Sequence, residues 1–178
     1  LHTQPDYTYL DKLSEWGKSL RPGPFTNQIE KNYILDDLKR LDNFNEITSD
    51  SPIYLLHAFW MGKRLYGKSF VNAVKSNMKA LQYPITMVDI LEGVKGGYGI
   101  HVKEDELDEV TSHLEMSQGM YRALSFIIHL NLALKSNIST CILVDDLGEG
   151  LDFDRSKLLI DLLIKEINES NIQMFITT

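Results

Sequence analysis

Apolar positions recur at helical spacing over the first half of the chain. In "YTYLDKLSEWGKSL", Tyr9, Leu10, Leu13, Trp16 and Leu20 fall near the period of an α-helix, and "RPGPF" at 21–25 breaks the pattern. The pattern resumes in "NYILDDLKRLDNF", which predicts a second helical piece. Between 53 and 82, Tyr54, Ala58, Met61 and Leu65 are followed by Val71, Val74, Met78 and Leu81, which predicts one helix on each side of Gly67. The period then shortens. Ile85, Met87, Val88 and Ile90, then Ile100 and Val102, flank a Lys-Gly-Gly turn and predict a β-hairpin. "KEDELDEV" after it reads as a solvated acidic stretch.

The last third alternates in type. "LEMSQGMYRALSFIIHLNLALKSN" predicts an apolar helix with Ser117 as its N-cap. Cys141 to Val144 predict a short buried strand of the kind found in parallel sheets. "DFDRSKLLIDLLIKEINES" predicts a helix with Asp154 as N-cap and Leu158, Leu159, Leu162 and Ile167 on its apolar face. "IQMFITT" predicts a second strand. Strand, helix and strand of these lengths make a parallel βαβ unit. The pattern divides the chain into a mainly helical stretch at 1–82 and a mixed α/β stretch at 83–178.

Composition narrows the classes of function. With 178 residues, 43% hydrophobic and 24% charged, the chain is long enough for a core and ordinary for a globular protein. The formal net charge of −7 argues against a broadly basic nucleic-acid surface, although Lys63, Arg64, Lys68, Lys75 and Lys79 cluster in sequence. No stretch is long and apolar enough to span a bilayer, and no signal peptide is expected. The single Cys141 makes no internal disulfide, and a reducing cytoplasm fits this usage. His2, His57, His101, His113 and His129 are scattered without ligand spacing and read as structural. The start at Leu1 and the end within an apolar strand predict a piece of a longer chain.

Three stretches carry candidate chemistry. Gly62 to Ser69 spell G-x-x-x-x-G-K-S, the written form of a phosphate-binding loop. Such a loop needs a strand before it and small residues within it, whereas "YLLHAFWM" has helical spacing and the variable positions are Lys, Arg, Leu and Tyr. The two-helix reading therefore wins, with Lys68 as the residue that tests it. Ser117-Gln118-Gly119 open an apolar helix, where exposed N–H groups and the helix dipole favour an anion. Asp145-Asp146 stand at the carboxyl end of a buried strand, where open α/β sheets place their ligands. One such carboxylate can hold Mg²⁺ and the next can orient or deprotonate a water.

In order and spacing these stretches resemble the C-terminal lobe of ABC-type ATPase heads, in the RecF, SMC and OLD-like group. "MSQGMYRALS" resembles the ABC signature, "CILVDD" resembles Walker B, "GEGLD" resembles the D-loop, and "IQMFITT" resembles the strand before the switch residue. The resemblance covers roughly 85–178, implies at 83–178 a P-loop NTPase-like C-terminal lobe of parallel strands with flanking helices, and makes the helical stretch at 1–82 the family's arm or insertion. It implies a homodimer of heads that sandwiches ATP and Mg²⁺, and ATP hydrolysis in the full-length protein. It assigns Ser117, Gln118 and Gly119 to the γ-phosphate of ATP on the opposite subunit, Asp145 to Mg²⁺, Asp146 to the catalytic carboxylate and Asp152 to the D-loop. Arg122 becomes a supporting contact. It further implies work in DNA repair, chromosome maintenance or anti-phage defence, with DNA or an effector protein as partner. Asp146 departs from the Glu more usual there, and Walker A and the switch residue are expected outside these 178 residues, so that this stretch alone is expected to be inactive. The alternative is a module that binds nucleotide for regulation or interaction without turnover.

Overall fold

The computed structural model describes residues 10–22, 31–42, 54–93, 96–105 and 107–177. In chain order the elements are helix α1 (Asp11–Ser19), strand β1 (Leu20–Pro22), a 3-10 turn (Leu38–Asp42) and helix α2 (Tyr54–Ala80). Strands β2 (Ile85–Glu92), β3 (Tyr98–Glu104) and β4 (Thr111–Ser112) follow, then helix α3 (Gln118–Ser136), strand β5 (Thr140–Val144), helix α4 (Phe153–Ile167) and strand β6 (Ile172–Ile176). This is a mixed α/β fold with two small sheets, one parallel in the order β1-β5-β6 and one antiparallel in the order β2-β3-β4.

Helix α3 is apolar nearly all round, and from Gly119 to Ile128 every residue is buried. A helix of that composition must be covered on several sides. Its neighbours supply the cover: one core cluster joins Leu124, Ile127 and Leu130 of α3 to Phe59, Phe70 and Met78 of α2, Val88 and Val102 of the antiparallel sheet, Ile142 and Val144 of β5, and Leu159 and Leu162 of α4. Ser117 caps α3 by accepting a bond from the Met120 N–H at 3.1 Å, and Asn137 closes the helix in the left-handed conformation.

Helix α2 breaks sharply at Gly67, which has φ 57° and ψ −137°, a backbone region open in practice only to glycine. The break lets Phe59 and Phe70 meet with ring centroids 5.9 Å apart. In a straight helix eleven residues would separate them by roughly 16 Å along the axis.

Three local expectations are corrected. Leu20 does not end a helix. With Arg21 and Pro22 it forms β1, paired in parallel with Cys141, Ile142 and Leu143, because ladder bonds to β5 outweigh a weak helical period. "NYILDDL" is not helical either: Leu35 and Tyr98 exchange two backbone hydrogen bonds, 2.9 and 2.6 Å long, and only the 3-10 turn follows. The N-cap of α4 is Asp152 rather than Asp154, since its carboxylate accepts from the Arg155 N–H at 2.8 Å. The expected positions 6–9, 23–30, 43–50, 53, 95, 106 and 178 lie outside the described residues.

Candidate functional site

Strand β5 ends at Val144, and the chain turns through Asp145 to Asp152 before entering α4. The parallel ladder continues one step beyond β6. The Thr177 N–H donates to the Val144 carbonyl at 3.0 Å, and the Leu147 N–H donates to the Thr177 carbonyl at 3.1 Å. That step places the Thr177 hydroxyl between the two aspartates. It donates to Asp145 Oδ1 at 2.5 Å and accepts from the Asp146 N–H at 2.9 Å. Asp146 has φ 46°, a left-handed conformation uncommon for a residue with a side chain. Its carbonyl accepts from Arg122 Nη2 at 3.1 Å and from the Glu149 N–H at 3.1 Å. Side chains from two other elements thus hold both backbone polar groups of Asp146.

Arg122 lies in the second turn of α3. Its side chain is 7% exposed, and its second nitrogen, Nη1, pairs with Glu149. A buried guanidinium needs such partners to offset its lost hydration. The second link between α3 and the turn is backbone contact. Gly150, at φ 79°, brings its carbonyl oxygen to 2.1 Å from where a Cβ on Gly119 would stand. Only a glycine at 119 permits that approach. Ser117, Gln118 and Gly119 therefore adjoin the turn that carries Asp145 and Asp146, with Ser117 and Gln118 exposed and Gly119 buried beneath Gly150.

Asp152 stands at the far end of the turn. The Arg155 backbone N–H holds its carboxyl below the usual range, and the Arg155 side chain adds to this at 2.6 Å. The same guanidinium lies 4.5 Å from the centroid of the Tyr83 ring, a cation–π geometry. On the other side of Ser117, Lys31 Nζ donates to the Met116 carbonyl at 2.7 Å, which sets a cation one residue before the N-cap of α3.

The other sequence candidates are placed elsewhere. Gly62 to Ser69 lie within α2 with helix before and after Gly67, and the Phe70 ring packs directly on Gly62. Ser69 accepts from Lys135 at 2.7 Å. Of the clustered cations, Lys63 pairs with Asp89 and Arg64 with Asp42, while Lys75 donates to the Thr86 carbonyl. His57, His101 and His113 are buried, and His129 stacks on Tyr54. Burial lowers the basicity of His57, His113 and His129. A cavity of about 390 Å³ lies away from the acidic turn, between the β2–β3 hairpin and the segment around His113.

Thr177, Glu149 and Lys31 join the site without a sequence signal of their own. For Thr177 the signal is the register of β5 with β6, in which Val144 faces Ile176 and Asp145 therefore faces Thr177. Neither strand pattern alone fixes that register. Among the described residues no three His, Cys, Asp or Glu side chains gather into a metal-binding group, and no helix is long and apolar enough to cross a membrane. The sequence matches no protein-family model and no curated protein.

Proposed function

We propose that this chain is the signature-bearing lobe of an ATPase head with a P-loop NTPase-like fold. Two heads close on ATP and Mg²⁺ and hydrolyse the γ-phosphate bond. The observation that carries the reading is the junction of two chemically distinct stretches. An exposed helix N-terminus, Ser117-Gln118, and an acidic strand end, Asp145-Asp146, are joined through Arg122 and through the Gly119–Gly150 contact.

The chemistry follows from residue type. Mg²⁺ takes one or two carboxylates together with phosphate oxygens and waters, so a cage of three protein ligands is not required. Asp145 fits that demand, being an exposed carboxylate held in place by one hydroxyl donor. The ion supplies charge neutralisation at the phosphates when bound. Asp146 orients the attacking water and takes its proton. The exposed start of α3, at Ser117 and Gln118, binds the γ-phosphate presented by a second head. A site completed by a second copy is an open face in one copy. The attached work would be DNA repair, chromosome maintenance or anti-phage defence in the cytoplasm, through DNA or an effector protein.

Asp146→Asn in the full-length protein tests this. General-base assistance contributes about 10²- to 10⁴-fold, so turnover should fall at least a hundredfold while ATP still binds. Unchanged ATP consumption removes the role given to Asp146. A second reading, nucleotide binding for regulation without turnover, is favoured by the short Asp146 side chain on a clamped backbone. It predicts a wild-type protein that binds ATP and dimerises but releases no phosphate.

A further inference from the structure

We infer that Thr177 is a positioning residue for the acidic pair, setting the direction of Asp145 and the backbone conformation of Asp146 through one hydroxyl group. The inference rests on the reading of Asp145 and Asp146 as the metal-binding and water-activating carboxylates. A threonine hydroxyl has one proton. Here its oxygen already accepts from the Asp146 N–H at 2.9 Å, and its proton goes to Asp145 Oδ1 at 2.5 Å. Both roles of the hydroxyl are filled by adjacent residues of one turn. That makes the Asp145 carboxylate the acceptor of the hydroxyl proton, while the Asp146 amide is already taken by the hydroxyl oxygen.

The Asp146 peptide is held at its other end by Arg122, so a left-handed aspartate is locked from both sides. Strained backbone of this kind persists where its surroundings over-determine it. Thr177 belongs to the edge of the ladder, with its N–H on Val144 and its carbonyl on the Leu147 N–H, so the clamp is anchored by backbone bonds that do not depend on its side chain. A valine there keeps the ladder and the β-branched shape but loses the hydroxyl. A serine keeps the hydroxyl.

The experiment compares Thr177→Val and Thr177→Ser in the full-length protein by two readouts. In steady-state ATP hydrolysis, Thr177→Val should lower kcat at least tenfold with KM for ATP changed less than twofold, and Thr177→Ser should return kcat to within threefold of wild type. In amide hydrogen exchange followed by NMR, the Asp146 N–H should exchange at least tenfold faster in Thr177→Val and be restored in Thr177→Ser. Wild-type protection of the Asp146 amide in the valine variant overturns the inference, as does a serine variant no better than valine. If the wild-type protein hydrolyses no ATP, the functional reading fails, while the exchange comparison still decides whether Thr177 sets the Asp146 conformation. A valine variant that does not fold leaves the serine variant and the wild-type exchange rate to decide: an unprotected Asp146 amide in the wild type is equally fatal.

Discussion

The carbonyl oxygen of Gly150 sits 2.1 Å from the point where a Cβ on Gly119 would project. The first turn of α3 and the loop after β5 are therefore in direct backbone contact, and neither side can yield by turning a side chain. Gly119→Ala forces the two apart. Overpacking of this kind typically costs about 1–3 kcal/mol, so the urea midpoint should fall accordingly. The displaced loop also carries Glu149 and Asp152, so under the proposed ATPase function turnover should fall with it. An alanine variant with the wild-type midpoint means that the two segments are not held at this distance.

Gly67 supplies the second backbone test. Its φ of 57° and ψ of −137° make the corner of α2 and let Phe70 reach Gly62. Gly67→Ala places a Cβ in a region that is essentially glycine-only, at a cost on the order of 1–3 kcal/mol. Lys68→Ala, one residue on, should leave nucleotide affinity unchanged, because Gly62 to Ser69 form a helical corner rather than a phosphate cradle. Isothermal titration with ATP decides it, and a collapse of affinity in the alanine variant restores the phosphate-loop reading of these residues.

Arg122 reaches two groups that lie 24 and 27 positions further along the sequence, the carbonyl of Asp146 and the carboxylate of Glu149. Arg122→Met keeps most of the buried stem and removes both bonds. Hydrogen bonds to charged groups contribute about 1.5–3 kcal/mol, and Glu149 is half exposed and can rehydrate. The expected loss is near the low end, about 2 kcal/mol in chemical denaturation, with Asp146 released from its conformation and, under the proposed ATPase function, turnover reduced more than tenfold. Arg122→Lys should not restore turnover, since one ammonium lacks the planar fork that reaches both partners. Full activity in the lysine variant counts against the clamp.

Elements with strong periodicity were legible in the residues. The two halves of α2, the hairpin β2–β3, the Ser117 cap and the β5–α4–β6 run follow from spacing and capping chemistry. β1 was not, because three residues leave no period to read and the strand exists only through its pairing with β5. Leu35 departs from its helical pattern for a related reason: its apolar neighbours fit a helix, but tertiary bonds to Tyr98 take its backbone. At the site, Ser117, Gly119 and the aspartates could be proposed from type and position. Thr177 and Lys31 could not, since a hydroxyl 32 residues from Asp145 and an ammonium 85 residues from Met116 acquire meaning only from register and packing.

Acid should weaken the interface between α2 and α3. His129 of α3 stacks on Tyr54 of α2 with ring centroids 4.7 Å apart, and burial first, then nearby His57, lowers its pKa from 6.5 to about 4. The folded protein thus keeps the ring neutral over a range in which the unfolded chain binds a proton. Stability from this group is full above pH 6.5 and is lost as pH falls toward 4. A shift of that size corresponds to at most about 3 kcal/mol. His57 is shifted in the same direction by burial and adds to the slope. His129→Phe keeps an aromatic ring on Tyr54 and cannot titrate. The difference in unfolding free energy between wild type and this variant should therefore move in favour of the variant between pH 6.5 and 4. Equal pH dependence in the two proteins shows that the His129 ring takes up its proton as readily folded as unfolded.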